Sequence, residues 1–239
     1  MSVTLRRLTL EQDGIPGWIA HPLTEARRPA VLMLHHAPGL TGDYKANAAL
    51  LAQLGFTVMV PNLYNMLGIP GDNHHGQGPE IQTRHGDADF LHVIGEAWRA
   101  LAARPDVDPE HIAVMGHCLG GRLAIPFAAD TPAVRSLVLY YATIRDDAVS
   151  ELRPRHPFET AKLVKCPSLV FYGGSDHLTV PAIQLRLWQS FVDGGAPLEW
   201  HYFGDGAHGF ANPDYQFYQP DFSQLAWRLT CDFLERRLA

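Results

Sequence analysis

Residues 111–121 read His111-Ile112-Ala113-Val114-Met115-Gly116-His117-Cys118-Leu119-Gly120-Gly121, and this stretch decides the fold. His111–Met115 is a short apolar run of strand type, and Leu119–Ala129 carries the pattern of a helix. The chain must therefore turn sharply between them. Glycines at 116, 120 and 121 let a strand and the following helix approach without side-chain collision. The pattern G-x-C-x-G is the nucleophile elbow G-x-S-x-G with sulfur in place of oxygen. In that geometry Cys118 stands above the strand ends, close to a helix N-terminus whose unpaired N–H groups favour a thiolate.

An elbow nucleophile needs a base, and the base needs an orienting acid, in the chain order nucleophile, acid, histidine. The strand-like run Ser168–Tyr172 is followed by Gly173-Gly174-Ser175-Asp176, which puts Asp176 just past a strand. Leu198–Phe203 is followed by Gly204-Asp205-Gly206-Ala207-His208, which puts His208 past the next one. Asp205 is a rival acid, but it lies only three residues from His208, too local for a separate acid loop. Loops leaving the carboxyl ends of parallel strands gather on one rim, so Cys118, Asp176 and His208 can converge.

The remaining sequence keeps the same cadence. Val3–Leu10 and Gly17–Ala20 read as an opening pair of strands. Ala30–Leu34 and Phe56–Val60 are continuous apolar runs suited to strands covered on both faces. Ser136–Tyr141 reads as a further strand. Helical spacing recurs over Tyr44–Leu54, over Asp87–Ala103 (Leu91, Ile94, Trp98 and Leu101 on one side), and over Ala182–Val192 and Phe222–Leu238. Residues 61–83 are rich in Gly, Asn and Pro and predict a long irregular loop that covers the site. Strand alternating with helix predicts an α/β fold, a mostly parallel central sheet with helices on both faces. Neither a repeat nor a change of composition divides residues 1–239, so a single domain is expected.

Composition excludes several classes. The chain carries 19 basic and 25 acidic residues, a net charge of −6, without basic clusters. Phosphate-backbone binding is therefore not expected, and nucleic acid is no partner. No run approaches the ~18 apolar residues that span a bilayer, so no membrane partner is expected. The three cysteines lack C-x-x-C spacing, and a cytoplasmic address with reduced thiols follows as the expectation. Thirteen histidines invite a metal reading. Yet His35-His36 and His74-His75 are adjacent pairs whose side chains diverge on an extended chain, and no H-x-x-x-H or H-E-x-x-H occurs. Neither metal nor cofactor is implied.

From roughly Pro29 onward the chain resembles the dienelactone hydrolase (carboxymethylenebutenolidase) family of the α/β-hydrolases. The resemblance is carried by GHCLGG, by VFYGGSDHLTVP around Asp176 and by GAHGF around His208. It implies Cys118 as nucleophile, His208 as general base and acid, and Asp176 as its orienter, acting on a small ester or lactone. The oxyanion donors it implies are the backbone N–H groups of Leu119 and Ala37; Pro38 has no N–H to offer. The scaffold also admits other acyl hydrolases or transferases and a non-catalytic binding relative, in a monomer or homodimer.

Two positions depart from the family pattern. A glutamate that holds the resting thiol in the family is replaced by His36. An arginine that grips a substrate carboxylate is replaced by Asn212, which leaves Arg84 as the other candidate grip. An uncharged or larger ester or lactone then becomes at least as suitable. His36, Arg84, Asn212 and Tyr64 are the residues expected around the substrate. With no carboxylate at 36, Cys118 either rests as a thiolate beside an imidazolium or is governed by His208 alone.

Overall fold

A computed structural model describes residues 2–146 and 149–238. In chain order the elements are β1 (Val3–Leu8), α1 (Leu10–Asp13), β2 (Gly17–Pro22), β3 (Arg28–Leu34), α2 (Gly42–Gln53) and β4 (Thr57–Pro61). Then follow α3 (Leu63–Met66), α4 (Gly78–Arg84), α5 (Asp87–Ala102), β5 (Val107–His117), α6 (Leu119–Asp130) and β6 (Ser136–Tyr140). The chain ends with α7 (Pro157–Ala161), β7 (Ser168–Ser175), α8 (Pro181–Gly194), β8 (Leu198–Ala207) and α9 (Pro220–Leu238).

The strands form one eight-stranded sheet in the order β1-β2-β4-β3-β5-β6-β7-β8. Only β2 runs against the rest: it is antiparallel to both β1 and β4, while every pair from β4 to β8 is parallel. The α/β expectation is borne out. The apolar runs occupy the middle of the sheet, where β4 and β6 are buried along their whole length. Each large aliphatic side chain removed from water there contributes about 1.5–3 kcal/mol.

Helix α5 buries Phe90, Val93, Ile94, Ala97, Trp98 and Leu101, at the three- and four-residue spacing of one face. Its stripe is wider than the sequence pattern indicated, and Leu91 lies at its half-buried margin. Helix α8 begins with Pro181 and stops at Gly195, whose φ of 75° is the left-handed turn that ends helices.

The expected irregular loop over 61–83 is corrected in part, because α3 and α4 lie within it. Asn62 caps α3 by accepting from the Asn65 N–H, and Pro79 sits in the first turn of α4. Helices of four and seven residues are too short to leave a periodic signature among glycines and prolines.

Close packing at the elbow depends on glycine. A Cβ at Gly116 would lie 2.4 Å from the Gly120 carbonyl oxygen, and one at Gly120 would lie 2.4 Å from that of Leu34. Both obstacles are backbone, so α6 would have to move away from β3. Gly120→Ala is expected to cost about 1–3 kcal/mol, as overpacking does. A fall in thermal midpoint of roughly 2–10 °C would report it; an unchanged midpoint would contradict the packing described.

Candidate active site

The carboxyl ends of β3, β5, β6, β7 and β8 deliver their following loops to one rim. Cys118 sits there between β5 and α6 with φ 52° and ψ −113°, the strained left-side backbone of a nucleophile elbow. Its N–H donates to Tyr140 O at 3.0 Å, and its carbonyl accepts from Thr143 N at 3.1 Å. The thiol is thereby held between the ends of β5 and β6.

Asp176 follows β7 and His208 follows β8. These strands pair so closely at their glycines that a Cβ at Gly173 would stand 2.0 Å from Gly206 O. The register carries Ser175 opposite Ala207, and the next residue on each strand is the acid or the imidazole. Asp176 Oδ2 lies 2.9 Å from His208 Nδ1, with both residues buried. The other carboxylate oxygen accepts the Leu178 and Thr179 N–H groups at 2.8 Å each. Three donors fix that carboxylate, and it fixes the ring.

With Nδ1 bound to Asp176, His208 presents Nε2, which is buried and has no hydrogen-bond partner of normal geometry. Nε2 and the Cys118 thiol act on each other. Burial opposes the thiolate, but the charge and hydrogen-bonding capacity of His208, the Thr143 hydroxyl and the Ala37 N–H together hold the thiol below its ordinary range. For His208 burial likewise opposes the charged form, and the sulfur and Asp176 raise it instead. Both shifts favour a thiolate facing an imidazolium.

The sulfur's direct partner is Thr143 Oγ1, at 3.1 Å. A hydroxyl there donates to the thiolate and can accept from the thiol. Removing it in Thr143→Val should raise the midpoint of iodoacetamide alkylation by about one pH unit, the value of a hydrogen bond to a charged group. Thr143→Ser should restore it. An unmoved midpoint in the valine variant would show that the contact has no electrostatic role.

Ala37 stands on the loop after β3, and its N–H favours the anion on the Cys118 sulfur. The peptide that carries this N–H has its carbonyl, that of His36, bound by the His35 Nδ1–H at 2.8 Å and by Gly39 N–H at 3.0 Å. Because a peptide is planar, fixing the carbonyl aims the N–H on its far side. His35 Nε2 accepts from Leu63 N at 3.1 Å, which fixes the tautomer. Burial lowers the His35 pKa to about 4, so its ring is neutral. Leu119 opens α6, where its N–H has no acceptor within the helix.

His36 and Asn212, the two departures from the family pattern, meet each other. Asn212 Nδ2 lies 3.4 Å from His36 Nδ1, and His36 Nε2 lies 3.0 Å from Thr41 Oγ1, whose own proton goes to Asp43. One proton arrangement satisfies the chain: Asn212 donates to Nδ1, and Nε2–H donates to Thr41. Burial, with neighbouring histidines, holds His36 neutral. An imidazolium at position 36 is therefore not the partner of the thiolate.

Cys118, Ala37, Leu119 and Thr143 line a cavity of about 370 Å³ that also reaches Arg122, Arg145 and Arg153. None of the four residues expected around the substrate lines this cavity. Tyr64 is fully buried, packs edge-on to His35 and His74, and donates its hydroxyl to Ala37 O at 2.8 Å. It braces the loop behind the cavity. Arg84 is exposed and paired with Glu80, while Pro79, Gln82 and Thr83 are the α4 residues that face the cavity. Those three share one helical face, and Arg84 falls outside it. His36 and Asn212 form a buried pair beside the cavity rather than its lining.

Sequence reasoning missed Thr143 and the three arginines. Arg122, one turn beyond Cys118 on the elbow helix, could have been found from helical spacing; the others lie on irregular chain. A hollow of about 540 Å³ near Val134 and Cys166 lies by the amino ends of β5, β6 and β7, and burial there pushes the Cys166 thiol up to about 11. Among the described residues no group of three or more His, Cys, Asp or Glu could hold a metal ion, and no helix is long and apolar enough to cross a membrane.

A mostly parallel sheet, a positive-φ cysteine at its crest and an acid-bound histidine on the same rim define an α/β-hydrolase. The sequence profile of the dienelactone hydrolase family matches residues 15–238. The chain belongs to that family and is a hydrolase of it. It is 26% identical over 242 residues to a carboxymethylenebutenolidase of Rhodococcus opacus, covering 98% of this chain and 94% of the relative. A Methylorubrum extorquens protein provisionally named carboxymethylenebutenolidase is 27% identical, over 94% of this chain and 78% of its own. A Klebsiella pneumoniae structure provisionally assigned as a dienelactone hydrolase superposes with a TM-score of 0.87 at 21% identity, over 98% of this chain and 99% of that one.

Proposed function

We propose that this chain hydrolyses small carboxylic esters or lactones through an acyl-thioester on Cys118. The observation that carries the reading is the buried His208, bound to Asp176 through Nδ1 and left with Nε2 free on the side of the sulfur. The Cys118 thiolate attacks the carbonyl carbon. The Ala37 and Leu119 N–H groups hold the oxyanion, and each such donor is worth about 3 kcal/mol in comparable enzymes. As the tetrahedral adduct collapses, the C–O bond breaks and the imidazolium Nε2–H protonates the leaving alkoxide. His208, now neutral, takes a proton from water, which attacks the thioester. The acid leaves and the thiolate–imidazolium pair returns. For a lactone the alkoxide stays tethered to the acyl group, and the product is one hydroxy acid.

The relatives named carboxymethylenebutenolidase point to the lactone half of this class. The three cysteines are unpaired, as a reducing compartment such as the cytoplasm requires. With p-nitrophenyl acetate the enzyme should release a burst of nitrophenolate of one equivalent per chain, followed by a slower steady state. Absence of both burst and turnover would favour a binding protein that has kept the scaffold.

A further inference from the structure

We infer that the free edge of β8, with the apolar stripe of α8 beside it, is the interface through which two copies of this chain form a two-fold dimer. The sheet ends at β8, which pairs with β7 on one side only. Ser168 N–H bonds Pro197 O, so along β8 the odd-numbered residues turn their backbone groups toward β7. Those of Leu198, Trp200 and Tyr202 point away from the sheet, and among the described residues no other backbone group bonds them. The opposite edge is protected. There β1 carries Arg6 and Arg7 side by side, each in an ion pair, and charges on an edge keep it from pairing. Leu198–Phe203 contains no lysine, arginine or proline.

The side chains of Leu198, Trp200 and Tyr202 share one face of the sheet, and Tyr202 is 53% exposed. On α8, Pro181, Leu185, Trp188 and Val192 recur at four-, three- and four-residue steps and form one stripe. All four are exposed, Leu185 to 64%. A groove of about 330 Å³ runs between the stripe and the strand, with Leu185, Trp188, Trp200 and Tyr202 in its walls. The outer face of a surface helix is ordinarily polar, and a continuous apolar one marks a contact surface.

The order of residues on β8 identifies the occupant as a second copy. A strand pairing antiparallel with itself has its two-fold axis at one residue, which faces its own counterpart. An axis at Glu199 would set carboxylate against carboxylate, and one at His201 would set imidazole against imidazole. An axis at Trp200 sets each Glu199 opposite His201 of the second copy, where the ring N–H can donate to the carboxylate. The same register pairs Leu198 with Tyr202 and Trp200 with itself. All three outward-facing residues then fall in hydrogen-bonded pairs, as an antiparallel ladder requires. The α8 stripes come to lie on the same face of the joined sheet. Because the two β8 strands run in opposite directions, the rims bearing Cys118 open at opposite ends, and neither site needs the other copy.

Sedimentation equilibrium should return twice the chain mass of 26.5 kDa. Leu185→Lys combined with Tyr202→Lys places like charges across the axis at exposed positions. It should raise the dimer Kd at least about 100-fold and leave the far-UV circular dichroism unchanged. Leu50→Lys, on the exposed side of α2, should leave the dimer intact. Trp200→Cys should cross-link to itself on mild oxidation, since the Cα atoms of a hydrogen-bonded pair lie about 5.5 Å apart. Wild type, with its three native cysteines, should not cross-link under the same conditions. A wild-type mass of one chain overturns the interface. So does a dimer that survives the two lysines, or one that Trp200→Cys fails to cross-link.

Discussion

Cys118→Ala should abolish the nitrophenolate burst and lower kcat/KM by about 10⁴-fold or more, because the proposed acyl-thioester needs the sulfur. The informative readout is His208. Its pKa is raised to about 10, with burial opposing and the sulfur's negative charge the largest favourable cause. Deleting the sulfur leaves burial unopposed except by Asp176. The imidazole should then titrate several units lower, visible as a shift of its ring signals in an NMR titration between pH 5 and 10. A ring that titrates unchanged in the alanine variant would mean that the thiolate–imidazolium pair does not exist.

His208→Asn tests the pair from the other side. It removes the group proposed to shuttle protons in both half-reactions, for which about 10³–10⁴-fold in kcat is expected. The thiol should respond in a defined direction. Burial disfavours the anion, and His208 contributes the largest opposing effects; Thr143 and Ala37 are the smaller ones that remain. The alkylation midpoint should therefore move from below the free-thiol value, ~8.5, to above it. Iodoacetamide rates measured from pH 5 to 10 give both midpoints. A wild-type midpoint already near ~8.5 would exclude a preformed pair.

The parts of the site that could be read in the sequence are those built on strand ends. Cys118, Asp176 and His208 each follow an apolar run and stand among glycines, so periodicity located the rim and chain order supplied candidate roles. The substrate side was less legible because it rests on irregular chain. Arg145 and Arg153 lie after β6 in a stretch without a repeating pattern, and Thr143 is identified only by the sulfur it faces. Tyr64 misled for a physical reason: an aromatic among Gly and Asn reads as exposed, yet its ring fills space against Phe90, His35 and His74. Arg84 misled because α4 could not be seen, and without the helix its face could not be assigned. Those errors trace to short helices whose existence depends on capping and tertiary packing.

The neutral histidines beneath the rim carry a liability toward acid. His35 and His117 have folded-state pKa values lowered by burial to about 4 and about 3, and His36 is lowered as well. An unfolded chain binds protons at these rings below pH ~6.5, whereas the folded one refuses them. Each ring therefore drains about 1.4 kcal/mol of conformational stability per pH unit as acidity increases from ~6.5 toward its folded value. His208 adds nothing in that window, being protonated in both states. Denaturation midpoints in urea should fall steeply between pH 6.5 and 5, so that mild acid loosens the floor on which the rim of the sheet stands.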